Sequence, residues 1–116
     1  MTTIRHYLKT LGEPALLTPA GRPVPFRTRK ALALLVYLAA ELRQHPRDSL
    51  AELLWSRAAP AEARHSLANA ISEIRRRLGK AAVETVAGRV RLRGDLVTLD
   101  LQRLVAGDVL GNEVDG

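Results

Sequence analysis

The chain contains no cysteine, few aromatic residues and no long apolar run, and each absence narrows what it can be. Without cysteine it has neither disulfides nor thiolate metal sites, which fits a reducing compartment. An aromatic content of 3% argues against a platform on which RNA or single-stranded bases stack. No apolar run approaches the ~20 residues of a membrane span. We therefore expect no membrane partner and a cytoplasmic location.

The residues that usually carry catalysis or bind metals are scattered. His6, His45 and His65 are far apart and form no i,i+4 ligand pair. No glycine-rich loop leads from a strand into a helix, and the hydroxyl groups show no nucleophile-elbow pattern. We therefore expect no enzyme activity, no catalytic residue, no metal and no cofactor.

The 116 residues suggest one domain, and their charge is unevenly distributed. Residues 1–93 carry 17 basic and 7 acidic side chains, a net charge of +10, whereas residues 94–116 carry one basic and five acidic side chains. Such a cationic field attracts polyanions, although a basic surface without a ligand gives the same totals. We expect a folded domain over residues 1–104 and an acidic, disordered tail over residues 105–116.

Periodicity and turn residues predict an α+β fold. Pro23 and Pro25 lack N–H groups, so the strand around them should lie at a sheet edge. Thr28 is a suitable cap for a helix that is apolar on most sides and therefore central to the core. We predict strands at 4–11, 15–18 and 24–26, helices at 29–43, 47–55 and 61–78, a hairpin from 83–86 and 90–92, a strand at 96–99, and a helical turn after Asp100.

Two details of the second helix follow from the same pattern. Leu50, Leu53 and Leu54 are expected to form its core face. Trp55, the one tryptophan of the chain, is expected to fill space in the core rather than to stack on a ligand.

The third predicted helix carries the sharpest functional signal. Its apolar residues form one stripe and its polar residues the opposite one, which consists of His65, Asn69, Ser72 and Arg76. Asn69 can read adenine and Arg76 guanine through paired hydrogen bonds, while His65 and Ser72 are adaptable. A solvated outer face explains any one of them alone. The whole face, followed by a basic hairpin, favours contacts with DNA base edges.

Arginines surround that face. Arg89 lies at the predicted hairpin tip, with Arg91 and Arg93 on one side of the second strand. They can bind phosphates or protect an exposed edge strand from aggregation. One of the three arginines at 75–77 is expected to pair with Glu73 or another local acid. The predicted contacts to the DNA backbone are Arg64, Arg75, Arg89, Arg91 and Arg93.

Several segments resemble the SARP-type transcriptional activators, which are bacterial winged-helix regulators related to the DNA-binding domain of OmpR-class response regulators. The likeness covers roughly residues 4–104 and is carried by residues 29–39, 47–48, 50–55, 63–67, 74–79 and 84–92, and residues 8–12 and 97–100 fit as well. It implies a winged helix-turn-helix fold with an N-terminal antiparallel sheet, three helices and a C-terminal β-hairpin wing.

The resemblance also implies a function. It implies sequence-specific binding of double-stranded DNA at direct-repeat promoter sites by a head-to-tail pair, with the third helix in the major groove. Residues 55–60 would meet RNA polymerase, and the bound protein would be associated with the nucleoid. The short wing and the acidic tail leave an alternative open, a winged-helix protein-interaction module that does not bind DNA.

Overall fold

Residues 6–99 are described by the computed structural model, and their elements follow one another in an α+β order. The elements are β1 (His6–Lys9), β2 (Ala15–Leu17), β3 (Pro23–Val24), α1 (Arg29–Ala40), β4 (His45–Pro46), α2 (Arg47–Leu54), α3 (Pro60–Leu78), β5 (Val83–Val86), β6 (Arg89–Leu92) and β7 (Val97–Leu99). The tail predicted over residues 105–116 and the helical turn predicted after Asp100 lie outside the described residues. The domain boundary at residue 104 therefore stays a prediction.

The first sheet has the strand order β3-β2-β1-β7. Strands β1, β2 and β3 are antiparallel neighbours, as predicted, with Leu8 opposite Leu16 and Leu17 opposite Pro23. Strand β3 lies at the edge, which the prolines predicted. The sequence named no partner for the last strand, and β7 pairs with β1 in parallel, with Leu8 opposite Leu99. The sheet thereby joins the two ends of the described range.

Helix α1 begins where its cap predicted and ends earlier than expected. The Thr28 hydroxyl accepts a hydrogen bond from the backbone N–H of Ala31 at 3.1 Å. The helix ends at Ala40 rather than at residue 43, because Glu41 leaves helical geometry with φ −123° and ψ 85°. The chain turns there so that the two residues of β4 can pair with β6, where His45 lies opposite Val90. An unforeseen strand thus shortens the helix.

Helix α2 packs through a face that matches the predicted one in part. Leu50 is buried and the half-buried Leu54 packs against the core, as predicted, but Leu53 is 54% exposed, so its assignment to the core was wrong. Ala51 is buried as well, and together with Ala63 of α3 it lines a groove between the two helices. The orientation of α2 that buries Leu50 and Ala51 turns Leu53 outward.

Helix α3 and the hairpin after it agree closely with the predicted pattern. The α3 residues on the predicted apolar stripe are buried, apart from the half-buried Leu78 at its end. The hairpin turn has two residues, Ala87 and Gly88, with φ values of 52° and 74°. Positive φ at both positions is what a type I′ turn requires, and it places Arg89 in β6 rather than in the turn.

One apolar cluster connects both sheets with the three helices. Leu34, Leu35 and Leu38 of α1 are fully buried in it, which confirms the central place predicted for that helix. Burial of such side chains supplies most of the stabilising free energy of a domain this size. Among the helices of residues 6–99, none combines the length and the apolar character that crossing a membrane needs.

Candidate nucleic-acid interface

The polar stripe predicted on α3 faces solvent in the structure. His65, Asn69, Ser72 and Arg76 are all exposed, and they lie on the side opposite the buried Leu67 and its neighbours. Their spacing of four, three and four residues keeps them on one face over about three turns. The structure therefore brings the four predicted base-contacting residues together on one accessible surface, hereafter the α3 outer face.

The ends of α3 carry charges that suit a helix dipole. Pro60 occupies the first turn, where its missing N–H costs no hydrogen bond, and Glu62 lies in the same turn. Arg75, Arg76 and Arg77 lie in the last turn, where positive charge interacts favourably with the carboxyl end of the helix. The three arginines thus stabilise the helix whatever else they bind.

Glu73 is the most deeply buried charged residue in the described part of the chain, with 3% of its surface exposed. Its Oε2 accepts hydrogen bonds from the backbone N–H of Arg27 at 2.9 Å and from the Arg77 guanidinium at 3.3 Å. Its Oε1 lies 3.8 Å from Nη2 of Arg76. The predicted pairing of Glu73 with a neighbouring arginine is confirmed, but its burial was missed. The available signal was its place between the core residues Ala70 and Ile74.

Arg75 connects α3 to the hairpin. Its Nε and Nη2 donate to the backbone carbonyl of Val83 at 3.2 and 2.8 Å, and Nη2 also reaches the Thr85 hydroxyl at 3.4 Å. The side chain is half-buried at this junction. The sequence predicts that Arg75 contacts the DNA backbone, which stays a prediction, and the structure shows that Arg75 fixes strand β5 against α3.

The hairpin β5–β6, hereafter the wing, presents its arginines in different states. Arg91 lies opposite Glu84 in the strand register, and the two form an ion pair at 3.3 Å. Arg93 pairs with Asp95 at 2.9 Å. Arg89 is exposed beside the turn, and no ion pair of the described residues includes it. The wing is therefore less cationic than its arginine count suggests.

A groove of about 600 Å³ runs between the α3 outer face and the start of α1. Its polar lining includes Arg27, Thr28, Lys30, Asn69, Ser72 and Arg76. Lys30 donates to the carbonyl of Leu54 at 2.7 Å and lies 5.7 Å from the centre of the Trp55 ring. Trp55 is half-buried against the core, in keeping with the space-filling role predicted for it. The cationic start of α1 thus borders the predicted base-reading residues.

Arg64 lies on the other flank of α3, at the entrance to a second groove formed with α2. Asp48, Glu52 and Trp55 also line this groove, so its charge is mixed. The turn over residues 55–60, in which Ser56 and Arg57 are exposed, borders it. This is the segment for which the resemblance implies contact with RNA polymerase.

Residues 6–99 bring together no group of three histidine, aspartate or glutamate side chains able to hold a metal ion. His45 is buried and its Nε2 hydrogen-bonds with the carbonyl of Glu41 at 2.8 Å. Its ring also lies against that of Tyr37, with 5.1 Å between ring centres. His45 therefore stabilises the turn after α1, and His65 remains on the α3 outer face.

Comparisons with known proteins give a structural likeness and no sequence match. No family model matches the chain, and no curated protein matches it. A solved structure of EmbR from Mycobacterium tuberculosis, a SARP-family regulator in complex with a low-affinity phosphopeptide, superposes with a TM-score of 0.71 at 28% identity. The match covers 96% of this chain and 30% of the EmbR chain. The likeness supports a SARP-like winged-helix domain of the kind found in transcription regulators.

Proposed function

We propose that this chain binds double-stranded DNA in a sequence-specific manner and regulates transcription, with α3 in the major groove and the wing on the flanking backbone. The observation that carries the proposal is the α3 outer face, a set of four exposed hydrogen-bonding side chains beside a basic hairpin. An α-helix fits the major groove, and its exposed polar side chains reach base edges there. The likeness to a regulator's domain supports the same reading.

Base discrimination is assigned to His65, Asn69, Ser72 and Arg76. Asn69 can accept and donate on one adenine edge, and Arg76 can place two N–H groups on guanine. Arg76 retains 53% exposure of its side chain despite its contact with Glu73, so its guanidinium is available to a ligand. His65 and Ser72 complete the face as adaptable donors or acceptors.

Backbone binding is assigned to Arg64, Arg89, Arg91 and Arg93. The ion pairs of Arg91 and Arg93 involve side chains that are 41–49% exposed. Pairs so exposed contribute only about 0–1 kcal/mol, so a phosphate can replace the acid at little cost. For Arg75 we propose a mainly indirect contribution, because its donors hold the wing.

A head-to-tail pair on direct repeats is the arrangement we propose on DNA, with RNA polymerase meeting the turn at residues 55–60. Adjacent half-sites would then lie about 10–10.5 base pairs apart, one helical turn of DNA. Parent protein incubated with a random duplex pool should enrich such a repeated site. Enrichment of no sequence would contradict the proposal.

Two substitutions test the assignment of the surface. Asn69→Ala should lose about 1–3 kcal/mol of discrimination at one base pair, because it removes a bidentate contact. Arg89→Ala should weaken all duplexes alike and reduce the slope of log K against log salt by about 0.9. Arg22→Ala serves as the control. It removes the same charge from the turn between β2 and β3, which belongs to the four-stranded sheet rather than to the wing. If Asn69→Ala and Arg89→Ala both bind like the parent, the assignment is wrong.

A protein-interaction module is the second candidate. The pairing of Arg91 and Arg93 with acids and the exposure of Leu53 favour it over a purely phosphate-binding surface. Mobility-shift assays at low salt, with the full chain and with residues 1–104, separate the two functions. Binding by either form supports the DNA-binding proposal, whereas failure of both supports the interaction module.

A further inference from the structure

Glu73 occupies an unusual place for an acid, since it lies beneath a surface proposed to bind a polyanion. It is 3% exposed and is held by three groups, the Arg27 backbone N–H and the guanidinium groups of Arg76 and Arg77. A buried carboxylate is costly unless its oxygens are hydrogen-bonded or paired. Here Oε2 accepts two hydrogen bonds and Oε1 lies at ion-pair distance from Arg76, so the carboxylate is paired by groups from two separate parts of the chain.

The carboxylate restrains one of the residues proposed to read a base. Arg76 lies three residues after Glu73, and its Nη2 lies 3.8 Å from Oε1. The Arg76 side chain is 53% exposed and lines the same groove as Asn69 and Ser72. A free arginine side chain loses much rotamer freedom on binding, and a restraint already present in the free protein reduces that loss. The contact with Glu73 therefore prepares Arg76 for one orientation.

The same carboxylate lowers the positive potential of the groove. Arg27, Lys30 and Arg76 line the groove, and Glu73 borders it as well. A negative charge at the border of the groove weakens the attraction of these cationic side chains for any phosphate. It leaves hydrogen bonds to a matched base in place. It thus opposes binding that ignores sequence.

We propose that Glu73 is a positioning residue for DNA recognition, which raises discrimination between sequences by orienting Arg76 and by weakening the pull of the groove on phosphates generally. This inference rests on the proposed DNA-binding function. Glu73, an acid that lies outside the α3 outer face, would thereby contribute to sequence specificity.

Glu73→Gln is the decisive variant, because the amide keeps the size of the side chain and an acceptor for the Arg27 N–H but removes the charge. Binding is measured on the duplex selected from the random pool and on the same duplex changed at the base pair whose preference Arg76→Ala abolishes. Affinity for the changed duplex should rise about fivefold, with a salt slope steeper by about 0.9. The ratio between selected and changed duplex should fall about tenfold. A residue needed only for folding would instead lower both affinities together.

Glu62→Gln removes the same charge from the exposed first turn of α3 and is the matched control. In an Arg76→Ala background, Glu73→Gln should no longer change the ratio. Glu73→Asp keeps the charge but withdraws it from Arg76, so the ratio should fall without a steeper salt slope. This variant also decides the matter if Glu73→Gln shows no cooperative melting transition.

The outcomes separate the two levels of the proposal. If the parent binds no duplex, the proposed function fails and this inference fails with it. If the parent prefers one sequence but the ratio is unchanged in Glu73→Gln and Glu73→Asp, or changes equally in Glu62→Gln, only the role of Glu73 is overturned.

Discussion

Replacing Arg75 with alanine should both destabilise the domain and detach the wing from α3. The guanidinium donates twice to the Val83 carbonyl, and Val83 is only 2% exposed. Alanine removes these donors and leaves the carbonyl with fewer partners in a buried setting. Hydrogen bonds to a charged donor contribute about 1.5–3 kcal/mol, and an acceptor left unsatisfied in the interior costs a similar amount. We therefore expect the free energy of unfolding to fall by about 2 kcal/mol.

Thermal unfolding followed by circular dichroism measures this loss. For a domain of this size, 2 kcal/mol corresponds to a fall in Tm of roughly 8–16 °C. Arg64→Ala removes an exposed arginine from the same helix and should change the free energy of unfolding by no more than about 0.5 kcal/mol. Arg75→Lys should be intermediate, because a single ammonium group cannot place two N–H groups as the planar guanidinium does. A Tm for Arg75→Ala within about 2 °C of the parent would refute the link between Arg75 and the wing.

The salt dependence of DNA binding then distinguishes an indirect role for Arg75 from a direct phosphate contact. If Arg75 only positions the wing, Arg75→Ala should lower affinity for every duplex and leave the salt slope nearly unchanged. A direct phosphate contact predicts a slope smaller by about 0.9. The measurement is made well below the Tm of the variant, so that unfolding does not contribute.

Two further substitutions test local features of the fold. Thr28→Ala should reduce the free energy of unfolding by about 1 kcal/mol, because it removes the cap on the Ala31 N–H. Thr28→Ser keeps the hydroxyl and should restore the parent's free energy of unfolding. Equal urea midpoints for Thr28→Ala and the parent would contradict the cap. Ala87→Asn should raise the free energy of unfolding by about 0.5–1 kcal/mol, since asparagine tolerates the φ of 52° that alanine adopts under strain. Ala87→Val, as the opposite control, should lower it; a lower Tm for Ala87→Asn than for the parent would count against the turn geometry.

The features that the sequence predicted correctly are those decided within one or two helical turns. The Thr28 cap depends on a hydroxyl and an N–H three residues apart, and the structure contains that bond. The buried stripe of α3 repeats over 19 residues, long enough for the period of 3.6 to define it clearly. The exposure of Asn69 and Arg76 follows from the same period. Local geometry thus located the candidate surface.

The features that the sequence did not predict depend on pairing between distant segments. The parallel partner of β7 lies at the other end of the described range, and no local pattern specifies it. The strand β4 exists because His45 and Pro46 meet β6, and this pairing ended α1 three residues before the expected point. Leu53 was assigned inward because leucine is apolar, but the buried side of α2 contains Leu50 and Ala51 and leaves Leu53 exposed. Tertiary packing decided each of these cases.

In the candidate site too, the sequence predicts which charged residues are present but not which partners they contact. The arginine content predicts a strongly basic end of α3 and a strongly basic wing. Arg75, however, donates to a backbone carbonyl, and no sequence pattern predicts that contact. Arg91 and Arg93 lie beside acids, and Arg76 shares Glu73 with Arg77. A phosphate must displace an acid to bind Arg91 or Arg93, whereas Arg89 requires no such exchange. Among these arginines, Arg89 should therefore account for the largest loss of sequence-independent affinity, although its charge equals that of the others.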